Sequence, residues 1–502
     1  MNRTVNGNIT VYMGMVTGIV LTLIFSLIEV VHFKSLGQEQ DILSQLGVES
    51  VMADFNRPLW KDYKILAVDG GYGRGEFAKS ALENRAMDYL EDNGSNTFLA
   101  LQPTGTNLTR YALLSDDGGT AFLKEAALEA YYGIPASLLN DTEQLCQHVE
   151  SSSSGNQSME DVMQQAQNSL DKADAIRIEQ EQAASKEKSK SKNQETTEAT
   201  VSTDPPKNPM VTVKEWKAKG ILAQVIPSDR VLSGACLSNE RPSARTLRQG
   251  TKSVDSLTAM ERMLLGLYFR EHFQNFNHSM NHEGLTYEWE YLISGKSSDE
   301  ENLKATVEKL LALRELQNYV AIHGISECKA TAEATAMALV GFTGNPAIIQ
   351  AVQEGVLASW AYGESVLDVR ALLAGKKVAL VKTKAEWTSN LDNLDACFDV
   401  HQQAKESATG VNYEAYLIGL TYLESPKTLG IRSMDILEAA ICRTQGYENC
   451  RIDNMVVAGD FEFSYEGNPI FANALLGLRG RLGRYSFLGE KEMSFCKKKT
   501  EV

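Results

Sequence analysis

From Ile9 to Ile28 the chain carries no charged side chain. About 20 residues rising about 1.5 Å each span about 30 Å, the thickness of a bilayer's hydrocarbon core, so this run is long enough to cross a membrane as a helix. No later stretch matches it: the most apolar ones, around Ala334 to Phe342 and Val378 to Val381, are too short and have charged surroundings. The expectation is a single span over 9–31, with residues 1–8 before it. A cleaved signal peptide is the competing reading, but its apolar region would be shorter, and Ser26-Leu27-Ile28-Glu29-Val30-Val31 offers no small-x-small cleavage site. Gly14 and Gly18 stand four apart, a spacing that lets two membrane helices approach closely, although glycine is common in such helices and chance explains the pair as well. Glu29 closes the run, where a carboxylate reaches headgroups and water, and that reading is preferred to a buried functional carboxylate. Arg3 on one side faces His32 and Lys34 on the other, so the flanks alone do not orient the span.

The remainder reads as a water-soluble body. Hydrophobic residues at 43% and charged residues at 23% argue against both several spans and wholesale disorder, and 502 residues leave room for two or three domains. A net charge of -16 repels phosphate backbones, which sets nucleic acid aside as a partner. Seven cysteines are scattered without the CxxC spacing of structural zinc sites, so no metal cage is expected. Cys442 and Cys450 are the one close pair; outside the cytoplasm they are candidates for a bridge, with two separate buried thiols as the alternative.

Beyond the apolar run, Ile42, Leu43, Leu46, Val51, Met52 and Phe55 keep helical spacing and predict an amphipathic stalk over 32–57, stopped by Pro58. A half-membrane helix leading into a head is a pilin-like layout. Over 58–150, strands at Lys64 to Val68, Phe98 to Leu101 and Leu108 to Leu114 alternate with helices at Phe77 to Leu90 and Ala121 to Tyr131, a small α+β module. Residues 151–209 turn to Ser, Gln, Glu, Lys and Thr with few large apolar side chains; they read as a solvated, disordered linker, with transient helix at Met159 to Ala184.

Over 210–502 a short helix at Val213 to Lys219 and a strand at Ile221 to Ile226 precede a series of strong helices. Thr258-x-x-Glu261 and Ser298-x-x-Glu301 are capping-box spacings. Leu303, Val307, Leu310, Leu311 and Arg314 share a face of a helix over 299–322, and further helices follow at Cys328 to Val340, Pro346 to Ala374, Tyr413 to Leu423 and Ser433 to Cys442. Two alternating runs, Asn454 to Tyr465 and Arg484 to Phe495, close the chain as strands that need partners, for which the N-terminal strands are candidates. The expected fold is therefore α+β and mainly helical: a transmembrane helix continuing into a stalk, a small α+β module, and a helical C-terminal domain closed by antiparallel strands.

Few side chains suggest chemistry. Asp69-Gly-Gly-Tyr-Gly-Arg-Gly75 follows a strand and precedes a helix, but matches neither GxGxxG nor a P-loop and reads as a glycine-rich turn. Ser294-Gly-Lys-Ser-Ser298 ends like a Walker sequence, yet Glu290 stands where its first glycine belongs. His278 and His282 are four apart with Glu283, Glu288 and Glu290 nearby, but HExxH is absent and Gly284 follows, so a polar helix end is preferred to a metal site. Glu364, Asp368 and Arg370 sit in an otherwise apolar helix and predict a buried ion-pair network rather than acid/base catalysis. With no nucleophile elbow and no matched Cys and His, the chain is expected to use no cofactor and to catalyse no reaction.

Several stretches resemble one family of uncharacterised single-pass membrane proteins of Gram-positive bacteria, catalogued as a domain of unknown function. They are Gly7-Asn-Ile-Thr-Val-Tyr with Glu29, Val51-Met-Ala-Asp-Phe-Asn-Arg-Pro-Leu-Trp-Lys-Asp-Tyr-Lys-Ile-Leu66, Asn208-Pro-Met-x-x-Val-Lys-Glu-Trp-Lys-Ala-Lys-Gly-Ile-Leu222, Ser294-Gly-Lys-Ser-Ser-Asp-Glu-Glu-Asn-Leu303, Gly344-Asn-Pro346 and Glu364-Ser-Val-Leu-Asp-Val-Arg-Ala-Leu-Leu-Ala-Gly-Lys376. The anchor is similar to those of TadE- and TadG-like pseudopilins of the tight-adherence pilus system. The resemblance implies a plasma-membrane protein with a cytoplasmic amino terminus and a body facing the cell wall. It further implies a non-enzymatic role in a surface or secretion apparatus, with the lipid bilayer and other envelope or pilus-system proteins as partners. The alternatives are an extracellular ligand-binding surface protein and an extracellular hydrolase using carboxylates around Glu290, Glu364 and Asp368.

Overall fold

A single helix of 48 residues, α1 (Asn6–Ala53), opens the computed structural model. The structure describes residues 6–94, 101–133, 136–153, 159–188, 207–227, 230–280, 282, 284–471 and 483–495. After α1 come α2 (Arg57–Tyr63), β1 (Val68–Asp69), α3 (Lys79–Gly94), β2 (Gln102–Leu113) and α4 (Asp116–Gly133). The middle of the chain holds α5 (Ala136–Ser153), α6 (Met159–Lys188), α7 (Pro209–Lys217), α8 (Ile221–Val225), α9 (Ala259–His272), α10 (Glu288–Ser294), α11 (Asp299–His323), α12 (Ser326–Val340) and α13 (Pro346–Leu373). It closes with α14 (Tyr413–Leu423), α15 (Pro426–Ile441), β3 (Met455–Gly467) and β4 (Tyr485–Ser494). The fold is mainly helical with one small antiparallel sheet, as the sequence pattern predicts.

The predicted span and stalk are one unbroken helix. By length and composition α1 qualifies as a single membrane span or as a signal sequence. Its apolar half is exposed along Ile9, Ile19, Leu23 and Leu27, whereas Leu36, Leu43, Val48 and Val51 further on are buried. Pro58 does not stop this helix: α1 ends at Ala53, and Asn56 caps a second helix by accepting from Leu59 N at 3.0 Å, with Pro58 in that helix's first turn. The reason is local, since proline lacks only an N–H that a first turn leaves unused.

Two compact units divide the chain. The first joins residues 1–129, 238–261 and 426–502; the second joins 130–237 and 262–425. In the first, β3 is antiparallel to β2, to β1 at Val456 and Met455, and to β4 from Ala458 to Gly467. The N-terminal strands are thus the partners that the C-terminal ones require. The predicted strand at Lys64 to Val68 shrinks to Val68–Asp69, and residues 98–100 of another lie outside the described ones. Leu36, Leu43 and Val51 of α1 and Leu82 and Leu90 of α3 pack with Leu108, Phe461, Phe463 and Tyr465 of the sheet as one core. Ser44 and Tyr465 share a hydroxyl hydrogen bond of 3.0 Å inside it.

The segment 238–261 is tied to the first unit by backbone and charge. Thr251 N and Lys252 N donate to Tyr111 O, and the Arg245 guanidinium pairs with Glu438 at 2.6 Å and Asp453 at 2.8 Å. Asp116 opens α4 by accepting from Leu113 N and Gly250 N. Asp117, Gly118 and Gly119 then adopt left-handed backbone, and α15 crosses at Gly430 with no room for a side chain.

In the second unit α13 is the central helix, buried on every side from Gly355 to Leu373, and α6, α7, α11 and α12 pack around it. Here the linker reading fails in part. Residues 159–188 form α6, with Val162, Ala166, Ser169 and Ala173 buried at helical spacing and Ala166 set against Gly355. Small side chains let two backbones approach, so α6 docks without the large apolar residues that a sequence search looks for. Residues 154–158 and 189–206 of that stretch lie outside the described ones. The predicted strand at Ile221 to Ile226 is instead α8, a short apolar run whose periodicity does not distinguish the two states.

The close crossing of Gly430 over the Gly118 carbonyl predicts that Gly430→Ala lowers stability, because the obstacle is backbone and cannot rotate away. Overpacking of this kind costs about 1–3 kcal/mol. A thermal melt of the variant in detergent is expected to show a lowered transition, and an unchanged one would contradict the packing.

Candidate functional site

The apolar half of α1 meets the sheet of the first unit at Glu29. This carboxylate is only 8% exposed, and it accepts from Ile470 N at 3.3 Å, Phe471 N at 2.6 Å and Tyr485 Oη at 2.7 Å. One turn earlier Phe25 stacks on Phe471 with ring centroids 4.7 Å apart. One turn later His32 Nε2 lies 3.0 Å from Asn468 O, and the Phe33 ring meets Tyr485 at 5.1 Å and Phe487 at 5.2 Å. Glu29 therefore does not reach freely into solvent, as its place at the edge of the run suggests; it clamps the helix to the facing ends of β3 and β4. Phe25, Glu29, His32 and Leu36 recur every three or four residues, so one face of α1 makes all these contacts. Gly14 and Gly18 lie on the exposed half, and among the described residues nothing stands within 4 Å of a side chain placed at either. The Thr17, Thr22 and Ser26 hydroxyls beside them bond back to carbonyls of their own helix.

The predicted ion-pair network in the second unit exists, with a different membership. Glu364 and Asp368 stand one turn apart on α13, and Lys382 Nζ contacts both carboxylates, Asp368 at 2.5 Å. Arg314 of α11 adds Nη2 at 2.7 Å from Asp368, and Asn318 donates to the same oxygen at 2.7 Å. Glu364 also accepts from Thr388 N and Ser389 N. Burial pushes the Asp368 carboxyl up, but Lys382 and Arg314 outweigh it and hold the group below its ordinary range. Arg370 belongs elsewhere: its guanidinium donates to the carbonyls of Gln224, Cys397, Asp399 and Gln402 and ties those segments to α13. A helix turns about 100° per residue, so Arg370, two positions after Asp368, points to another side. The sequence names neither Lys382 nor Arg314 as a partner, although a charged residue on the apolar face of α11 was a visible signal for Arg314.

The other carboxylates are similarly occupied. Glu290 accepts from Phe276 N and Tyr413 Oη, each at 2.9 Å, and Asp299 from Thr286 N, Tyr287 N and Ser233 Oγ. Burial raises the Glu290 carboxyl to about 7. His282 Nδ1 lies 3.2 Å from Glu288, whereas His278 Nδ1 lies 3.6 Å from Glu414, so the two imidazoles engage different carboxylates. Among the described residues no three His, Cys, Asp or Glu side chains converge as a metal site. Cys442 and Cys450 are free thiols: the Cys442 thiol donates to Cys450 O at 3.0 Å instead of facing its sulfur, which Asn56 Nδ2 approaches at 3.8 Å. The bridge drawn from their proximity in sequence is not formed. The Asp69 carboxylate accepts from Gly71 N and Gly73 N, which closes the glycine-rich turn on itself.

Among the described residues of the second unit, an open cleft with a largely apolar lining has room for a small ligand. Its volume is about 870 Å³, and Met163, Met210, Val213, Leu313, Leu316 and Leu420 supply apolar lining. Lys217 pairs there with Glu315 at 3.5 Å and Lys309 with Glu424 at 2.5 Å, while Lys214 makes no ion pair or side-chain hydrogen bond among the described residues. Sequence reading misses this space because α6, taken as linker, forms part of its wall.

A family described as a family of unknown function (DUF5702) matches residues 199–467. No curated protein matches the chain, and no solved structure does.

The raised Glu290 carboxyl gives a pH signature. Unfolded, it ionises near 4.5; folded, near 7, so its contribution is fully present below pH 4.5 and is lost as pH rises through 7. The difference amounts to about 3 kcal/mol. Glu290→Gln, which keeps the acceptor for Phe276 N, is expected to flatten the fall of the melting temperature between these limits; an unaltered slope would refute the assignment.

Proposed function

The chain belongs to this family of unknown function, whose match covers more than half of its length, and we propose that it is a membrane-anchored, non-enzymatic component of a bacterial surface or pilus-like (tight-adherence) assembly. The single observation that carries the reading is the continuity of α1. Its first half is apolar, uncharged and exposed, and its second half is built into the core of a folded head. Such a helix transmits position from lipid to head without a flexible joint. The resemblance to TadE- and TadG-like anchors read from the N-terminal sequence is the ground for the proposed orientation, with the amino terminus in the cytoplasm and the body outside. The buried carboxylates support a non-enzymatic role, because Glu290, Glu364 and Asp368 hold loops and cations of the fold in two separate networks. The partners implied are the bilayer and other envelope proteins.

A second reading, a ligand-binding surface protein, is favoured by the cavity. Its volume falls within the range of small-molecule sites, its methionines adapt to irregular apolar shapes, and Lys214 offers a cation with no ion-pair partner among the described residues.

Membrane retention tests the first reading. Full-length protein is expected to stay with membranes after a carbonate wash and to keep its residues before Val31, and deletion of 9–28 to release it; a mature product beginning beyond Val31 would instead mark a signal sequence. A reporter fused after Val502 is expected on the outer face. For the second reading, the anionic amphiphile 1-anilinonaphthalene-8-sulfonate is expected to bind, and Ala312→Trp, at an exposed lining position, to weaken it about tenfold, a loss of about 1.4 kcal/mol. Equal binding by both proteins would remove the cavity from consideration.

A further inference from the structure

Phe25 lies three residues before Ile28, the last residue of the uncharged run, and so about 4.5 Å inside its end along the helix axis. Phe471, on the far side of the sheet's sequence, stacks on that ring at 4.7 Å and 17°. The facing ends of β3 and β4 are thereby fixed level with residues 25–29 of α1 and not beyond them. We infer that Ile470, Phe471 and Tyr485 form a second membrane-contacting element, seated in the interfacial layer of the leaflet from which α1 emerges. The inference rests on the anchored reading of α1.

Two features suit this surface to a lipid boundary. Apolar side chains are exposed around it: Ile470 is 53% exposed and Phe33 45%, and the Tyr485 ring packs on Phe33 with its hydroxyl turned to Glu29. Aromatic rings with one polar end are favoured at the boundary between hydrocarbon and water. Polar groups are also matched internally. The N–H groups of Ile470 and Phe471, which would be costly in a layer poor in water, both donate to Glu29, and the same bonds satisfy a carboxylate that is costly there for the opposite reason. His32 Nε2 likewise meets Asn468 O. In bulk water neither the carboxylate nor the two N–H groups would require the other.

Photocrosslinking of the full chain in phosphatidylethanolamine and phosphatidylglycerol vesicles tests the placement. p-Benzoylphenylalanine is introduced singly at Val16 in the middle of the span, at Phe471, and at Trp60 on α2, which follows the end of α1 at Ala53, about 42 Å along that helix from Phe25. The same substitution at Ile470, whose side chain is exposed, guards against loss of the Phe25 stack. Lipid adducts at positions 16 and 471 or 470, with none at 60, are expected. Adducts at 16 but at neither 470 nor 471 overturn the inference and leave the anchor standing. Absence of adducts at 16 overturns the anchor and this inference with it, and adducts at 60 equal to those at 471 overturn it by removing any difference in depth.

Discussion

The contact between α1 and the antiparallel sheet is the interaction on which the rest of the first unit depends. Leu36, Leu43, Val48 and Val51 present one apolar face to Phe461, Phe463 and Tyr465, and each such side chain contributes about 1.5–3 kcal/mol when fully buried. Because β3 pairs with strands from both ends of the chain, this packing joins segments more than three hundred residues apart in sequence. It also sets the position of the exposed apolar half, since the helix is unbroken between the two. At Glu29 the character of the face changes from hydrophobic packing to hydrogen bonding. A carboxylate there, satisfied by two backbone N–H groups and a tyrosine hydroxyl, fixes the rotation of the helix more sharply than another leucine would.

The second unit solves a different problem, a helix buried on all sides that still carries charge. Glu364 and Asp368 are tolerated inside because Lys382 and Arg314 neutralise them and Asn318, Thr388 and Ser389 complete their hydrogen bonds. Such a network adds little net stability over apolar packing, but it admits one arrangement of α11, α13 and the segment after α13. Arg370 does the same for α8, which carries Gln224, and for the segment that carries Cys397. Small residues set a second constraint: Gly355 lets α6 approach α13 through Ala166, and the cavity lined by Met163 and Met210 lies beside that contact.

These arrangements bear on function through what the polar groups are already engaged in. A catalytic acid, base or nucleophile must reach a substrate, whereas Glu290, Glu364 and Asp368 are each committed to groups of the fold. Exposed apolar side chains line the first half of α1 and the ends of β3 and β4 beside it, and apolar side chains supply much of the wall of the cleft in the second unit.

Much of this was legible in the sequence, where local periodicity carries the information. The uncharged run from Ile9 to Ile28, the helices over 299–323 and 413–423, and the two closing strands follow from spacing and capping alone, because hydrogen bonding within a helix and alternation within a strand are short-range. That Glu364 and Asp368 are buried and paired was also legible, as charges in an apolar helix need partners. Which partners was not. Lys382 and Arg314 reach Asp368, Glu29 finds Phe471, and Ala166 meets Gly355 only after distant segments pack, and no local pattern encodes a contact made through space. Cys442 and Cys450 make the same point in reverse: the sequence sets them eight residues apart, but only the fold turns one thiol toward a carbonyl rather than toward the other sulfur.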